Sequence, residues 1–180
     1  MHGMILTELR NYVKTKLGDQ AWSDLLAKAG MGPKLYVPFE AYPDKDVVTL
    51  VTTASEMTGL PVPVILEDFG EYLVPYLLSK YQDLIPPDWR TLDVIEHAEN
   101  EIHTAVRKLN AGADPPQLVC KRLGPNELLL TYSSHRQMCD VAKGISKGLA
   151  KEYKEQIDIS ESSCMQKGDP TCVLSIKLVN

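Results

Sequence analysis

A chain of 180 residues can bury a core without disulfide staples, and a hydrophobic share of 44% belongs to a globular protein, not a disordered one. A formal net charge of −5 argues against nucleic acid or an anionic membrane surface as the partner. The opening MHGMILTELRNYVKTKLG has no basic segment leading into a long apolar core, and no run of about eighteen apolar residues follows anywhere. Neither an export signal nor a membrane span is expected, so the chain reads as cytoplasmic. Without repeats or low-complexity tracts, residues 1–180 read as one domain.

The first two-thirds reads helical. Leu6, Leu9, Val13 and Leu17 recur at helical spacing, and Trp22, Leu25, Leu26 and Ala29 repeat the pattern before GMGP interrupts it. A further stretch carries Val47, Leu50, Val51, Ala54 and Met57 on one face and stops at GLPVP. The next helix, from about Val64, gathers Ile65, Phe69, Tyr72, Leu73 and Tyr76. Pro75 inside it should kink or shorten it. After LIPPDW, the segment TLDVIEHAENEIHTAVRKLN reads as one long amphipathic helix over 91–110.

From Ala113 the texture changes. QLVCKRLGPNELLLTYSS predicts two strands around a Gly124-Pro125-Asn126 turn. QMCDVAKGISKGLAKEYKE is helical, with Met138, Val141, Ala142, Ile145 and Leu149 on one face; Gly144 and Gly148, one turn apart, allow a close approach there. QIDISESSCMQKGDPTCVLSIKLV predicts two more strands. Helices followed by an antiparallel sheet with one crossing helix give an α+β fold.

Chemistry-bearing residues are few. His2, His97, His103 and His135 are scattered, which suggests no nucleophile triad and no multi-histidine metal motif. On the 91–110 helix the apolar stripe is Leu92, Ile95, Ile102, Val106 and Leu109. His103 follows Leu92 by eleven residues, about three turns, and falls at the stripe's edge, whereas His97 projects to the other side. A histidine there is either a boundary residue of the core or an axial metal or haem ligand. Tyr132, Ser134 and Arg136 alternate, so in an extended chain a phenol, a hydroxyl and a guanidinium share one face. They are either the polar end of an edge strand or a clamp for carboxylates or phosphate. One imidazole, a large apolar lobe and one oxyanion clamp suit haem, and also other anionic ligands.

Taken together, the motifs resemble the haem nitric oxide/oxygen-binding (H-NOX) family, the sensor module also found in soluble guanylate cyclases. The opening MHG, DFGEYLV in the helix that begins near Val64, Ile102-His103, Pro115-Pro116 and Tyr132-x-Ser134-x-Arg136 carry the resemblance, in that order and at those distances. It implies haem b between an N-terminal helical lobe and a C-terminal antiparallel sheet with a crossing helix. His103 would be the proximal iron ligand, and Tyr132, Ser134 and Arg136 would bind the propionates. Pro115 or Pro116 would press on the macrocycle. The distal wall would consist of Ile5, Leu9, Leu73 and Val141, with Val141 standing where oxygen-binding relatives carry a hydrogen-bonding tyrosine. Such a wall favours nitric oxide and carbon monoxide and excludes oxygen. On this reading the protein is a sensor and not an enzyme. Nitric oxide would loosen the bond to His103, and a partner would read the resulting shift: a bacterial histidine kinase or a cyclic-di-GMP enzyme, since the chain ends at Asn180 with no catalytic domain attached.

Four cysteines remain. Cys164 and Cys172 flank CMQKGDPTC, and Cys139 follows the clamp by one turn, while Cys120 looks separate. The three are either small buried hydrophobes or a thiolate site. Zinc binding of this kind occurs in some H-NOX proteins, and Glu161, His135 or water would have to complete the shell. The rival function is therefore a thiol or zinc redox sensor built on Cys139, Cys164 and Cys172. Lys143, Lys147, Lys151 and Lys154 are spaced either like a solvated helix face or to meet an acidic partner.

Overall fold

Apolar residues at helical spacing shape the first eighty residues of the computed structural model, which describes residues 1–110 and 112–179. Four helices form there: α1 (Gly3–Leu17), α2 (Ala21–Lys28), α3 (Asp44–Thr58) and α4 (Val62–Lys80). Their buried faces meet in one core around Leu6, Leu9, Trp22, Leu50, Ile65 and Phe69. Leu17, Met57 and Leu109 continue the apolar spacing but are exposed, because each lies in the last turn of its helix, past the edge of the core. Among the described residues no single helix is long and apolar enough to cross a membrane; α3 and α4 reach that only as a pair, bent by 110° at their junction.

The second half supplies β1 (Gln117–Gly124), β2 (Glu127–Ser133), β3 (Ile157–Ser163) and β4 (Cys172–Leu178). They form an antiparallel sheet in the order β1-β2-β4-β3. Alternation points Leu128, Leu130, Leu174 and Ile176 inward, where they pack with Leu92, Ile95 and Leu149 into a second core. The α+β reading is therefore correct, and of the predicted Gly124-Pro125-Asn126 turn Pro125 and Asn126 join β1 to β2, while Gly124 is the last residue of β1.

Two helical expectations are corrected. Of the kink or shortening expected at Pro75, the shortening does not occur: α4 continues five residues beyond it. Proline removes the hydrogen bond to the carbonyl four residues earlier, here Glu71. That carbonyl oxygen instead faces Gly148, close enough that a Cβ there would lie 2.9 Å away. The 91–110 segment is not one uniform helix either. It breaks into α5 (Thr91–His97), a π-helical segment (Ala98–His103) and α6 (Thr104–Leu109). The Thr104 hydroxyl donates to the Glu99 carbonyl at 3.1 Å, a bond that suits the wider turn.

The crossing helix, α7 (Cys139–Glu152), packs directly on α4. Gly70 of α4 and Gly144 of α7 make this possible: a Cβ on Gly144 would overlap the Glu67 carbonyl oxygen, and one on Gly70 the Val141 carbonyl oxygen. The lysines of α7 are not simply solvated. Lys147 pairs with Glu67 at 2.5 Å and Lys151 with Glu71 at 3.0 Å, which ties the two helices along their exposed edge.

Candidate functional site

Between the two cores lies a cavity of about 270 Å³. Ile5, Phe69 and Leu73 line it from the first lobe, Ile95, Leu130 and Leu149 from the second, and Val141, Ala142 and Ile145 from α7. The polar residues on this wall are His2, Tyr81, His103, Asp114, Tyr132, Arg136 and Ser146.

His103 stands at the end of the π-helical segment, where the wider turn resets the register that a uniform helix would give. Segments of this kind recur at functional sites. Its Nδ1 lies 3.1 Å from Oε2 of Glu99, one turn earlier. A carboxylate partner keeps the proton on Nδ1 and leaves the lone pair on Nε2, as a metal-ligating histidine requires. The Glu99 carboxylate also accepts from Arg107 at 2.8 Å and from the Leu118 N–H at 3.0 Å. Burial pushes the His103 pKa down, against the opposing pull of Glu99 and the Pro116 carbonyl, so the ring is neutral near pH 7. Burial by itself would raise the Glu99 pKa, but the three donors outweigh it and hold the carboxyl below its ordinary value. His97 is elsewhere: it stacks on Trp89 with ring centroids 4.4 Å apart.

The predicted Tyr132-Ser134-Arg136 array is not one extended strand. β2 ends at Ser133, and the chain turns, with the Gln137 N–H donating to the Ser134 carbonyl at 3.0 Å. Tyr132 and Arg136 line the cavity, while the Ser134 hydroxyl sits behind the wall and accepts from the Arg136 N–H at 3.3 Å. The Arg136 guanidinium donates to the Asp114 carbonyl and stands 3.4 and 3.5 Å from the Asp114 and Asp44 carboxylates. Asp44 also accepts from His135 Nε2 at 2.6 Å and from the Met1 ammonium at 2.5 Å. Burial opposes ionisation of Asp44, yet the hydrogen bonds from Met1 and His135 and the charges of Arg136 and the Met1 ammonium pull its pKa down to about 2. His135 is thus exposed and off the cavity wall, but it shares both carboxylates with Arg136.

Pro115, Pro116, Ile5, Leu73 and Val141 all line the cavity with His103, whereas Leu9 is buried in the first core and is not on the wall. Two wall residues went unread in the sequence. Both ring nitrogens of His2 and the hydroxyl of Tyr81 are buried without a hydrogen-bond partner. The available signal was spacing: His2 precedes Ile5 by three residues at the start of α1, on the same side of the turn. An apolar slot lined by one oriented neutral imidazole, a guanidinium, a phenol and buried polar atoms with unmade bonds fits haem.

Cys139, Cys164 and Cys172 form a separate cluster, all buried, with their sulfur atoms within 4.8 Å of one another. Burial pushes the thiols of Cys139 and Cys172 up, so both stay protonated in the absence of a metal. Glu161 is engaged by Lys143 at 2.6 Å and Lys167 at 2.9 Å, and His135, bound to Asp44, does not join the cluster. Cys120 stands apart, as its sequence position indicates, with its thiol directed at the Ile95 carbonyl and its pKa raised by burial to about 11.

Comparison with known proteins gives one consistent answer. The profile of the family described as Haem-NO-binding matches residues 2–161. The crystal structure of an H-NOX protein from S. oneidensis in the Fe(II)NO ligation state superposes with a TM-score of 0.92 at 28% identity, covering 100% of both chains. An NMR structure of a Shewanella oneidensis H-NOX domain in the Fe(II)CO state gives 0.88, also at 28%, over 100% of this chain and 99% of that one. The soluble guanylate cyclase gcy-31 of Caenorhabditis elegans is 21% identical over 138 residues, which are 76% of this chain. The chain spans only 20% of that protein's length. The cavity, its imidazole and these matches agree: the chain belongs to the Haem-NO-binding, or H-NOX, family of haem-based gas sensors.

Proposed function

We propose that this chain senses nitric oxide: it holds haem b through His103, takes nitric oxide and carbon monoxide, rejects oxygen, and passes the result to a separate signalling protein. The observation that carries this is His103 itself, a neutral imidazole oriented by Glu99 on the wall of an apolar cavity that Tyr132 and Arg136 also line. When bound, the haem supplies a ferrous iron that takes up diatomic gases. His103 would offer Nε2 to it, Tyr132 and Arg136 would receive its carboxylates, with the Ser134 hydroxyl holding the Arg136 backbone, and Pro115 and Pro116 would bear on its face. Ile5, Leu73 and Val141 contribute no hydrogen-bond donor, and bound oxygen, which carries partial negative charge, needs one. Leu9 supports this wall from behind.

The relay is read from the partners of His103. Glu99 bonds at once to His103, to Arg107 of α6 and to the β1 backbone at Leu118. A change in the pull on His103 therefore reaches the sheet through one carboxylate, and a surface altered in this way changes its population of partner-competent states. The match of the C. elegans cyclase along a fifth of its length supports a division between a gas-binding part and an output part. We assign the output here to a histidine kinase or a cyclic-di-GMP enzyme, and no catalysis to the chain itself.

The test is the absorption spectrum of the ferrous protein with nitric oxide, carbon monoxide and air. Shifted spectra with the first two and an unchanged one in air are expected. A stable ferrous-oxy spectrum would overturn the selectivity and would direct attention to Tyr81, whose hydroxyl is an unpartnered donor in the cavity.

The three-thiol cluster favours a second, compatible reading, a zinc or redox site that modulates the sensor. Three sulfurs at this spacing supply most of a tetrahedral zinc shell, and binding would displace their protons. Metal analysis of protein purified under reducing conditions is expected to give about one zinc per chain, lost in Cys172→Ser with haem content unchanged. Reduced wild-type protein without zinc removes the metal reading.

A further inference from the structure

His2 is 8% exposed, both of its ring nitrogens lack a partner, and the ring lines the same cavity as His103, Tyr132 and Arg136. A buried donor and acceptor left unmade are costly unless a ligand completes them. The residue is not a frayed end. It bridges Ala41 in an antiparallel contact, its carbonyl accepts from the Ile5 N–H at 3.1 Å, and the next N–H, of Gly3, donates to the Glu40 carbonyl at 2.7 Å.

Its electrostatic setting says what is missing. The charged groups that act on it are the Met1 ammonium and Lys80 of α4, both cationic, and with burial they hold its pKa below the ordinary value. That ammonium binds Asp44, which stands 3.5 Å from the Arg136 guanidinium, so His2 is one residue from the ion cluster around Arg136. An imidazole with free nitrogens, in a positive setting and on the same cavity wall as a guanidinium, is the complement of a carboxylate.

We propose that His2 is a further anchor for the haem carboxylates, acting alongside Tyr132 and Arg136, and is not a second ligand to the iron. The inference rests on the haem reading above. It explains why the cavity can carry a second imidazole without offering it to the gas.

The test compares full-length wild type, His2→Leu and His2→Gln. Three quantities are measured: haem loss to excess apomyoglobin, melting of the protein after haem extraction, and the ferrous and ferric spectra. His2→Leu should lose haem roughly ten-fold faster, as loss of one hydrogen bond to a charged group implies, and His2→Gln, which keeps an N–H donor, should recover most of the difference. The extracted His2→Leu protein should melt at or above the wild-type temperature, because an apolar side chain replaces an unpartnered ring. The spectra should not change, since His103 still holds the iron.

Equal rates of haem loss in wild type and His2→Leu would overturn the assignment. So would a His2→Leu chain that fails to fold or melts lower after extraction, because the ring would then be structural. A six-coordinate low-spin wild-type spectrum that turns five-coordinate in His2→Leu would make His2 an iron ligand and overturn it equally. A wild-type chain that takes up no haem would instead overturn the cofactor reading itself.

Discussion

His103→Ala is expected to lose stable haem, with the Soret absorbance per chain falling at least ten-fold after purification, and to regain much of it when free imidazole is supplied. Tyr132 and Arg136 stay on the cavity wall, so on the proposed reading the pocket should still recognise the cofactor's polar end while the iron loses its protein ligand. Removing the ring leaves a space beside Glu99 that an imidazole molecule fits. The fold should persist, because Glu99 keeps two of its three donors, Arg107 and the Leu118 N–H. The haem-extracted variant is therefore expected to melt within a few degrees of wild type. Unaltered Soret absorbance in His103→Ala would show that the iron is held elsewhere.

Gly144→Ala is expected to cost about 3 kcal/mol or more in urea unfolding, which is large for one methyl group. A Cβ at that position would overlap the Glu67 carbonyl oxygen, and both partners in the clash are helix backbone. Neither can rotate away, so α4 and α7 must separate. Gly124→Ala is the control: a Cβ there meets nothing within 4 Å, and a change within about 0.5 kcal/mol is expected. Because α4 contributes Leu73 to the cavity and α7 contributes Val141 and Ile145, a folded Gly144→Ala protein should also hold haem less firmly. An effect at Gly144 no larger than at Gly124 would mean that the two helices are not in contact as described.

Periodicity made most of the fold legible. The stripes of α1 to α4 and the alternation in β2 and β4 each recorded a buried face, and a buried face is what those spacings encode. Local rules failed where a distant segment overrode them. Pro75 reads as a helix breaker until Gly148 brings another backbone against the freed Glu71 carbonyl. The lysines of α7 read as a solvated face until α4 places Glu67 and Glu71 beside them. In the site, Arg136 and Tyr132 were legible from their chemistry, but the turn after Ser133 was not, so Ser134 falls behind the wall and not on it. His2 was hidden by its position at the chain's edge, where burial is unexpected; it is held there by the segment around Ala41.

The π-helical segment before His103 sets a last constraint. In an α-helix each residue advances the side-chain direction by about 100°. A wider turn absorbs one residue that the helical path does not need, and so fixes the direction of everything after it. The aim of His103 is therefore encoded in a count. A deletion within 98–103 could leave every contact-making side chain of the site unchanged in identity and still turn the imidazole away from the cavity. For this protein the length of that segment decides the place of the imidazole on the wall as much as the identity of the residue does.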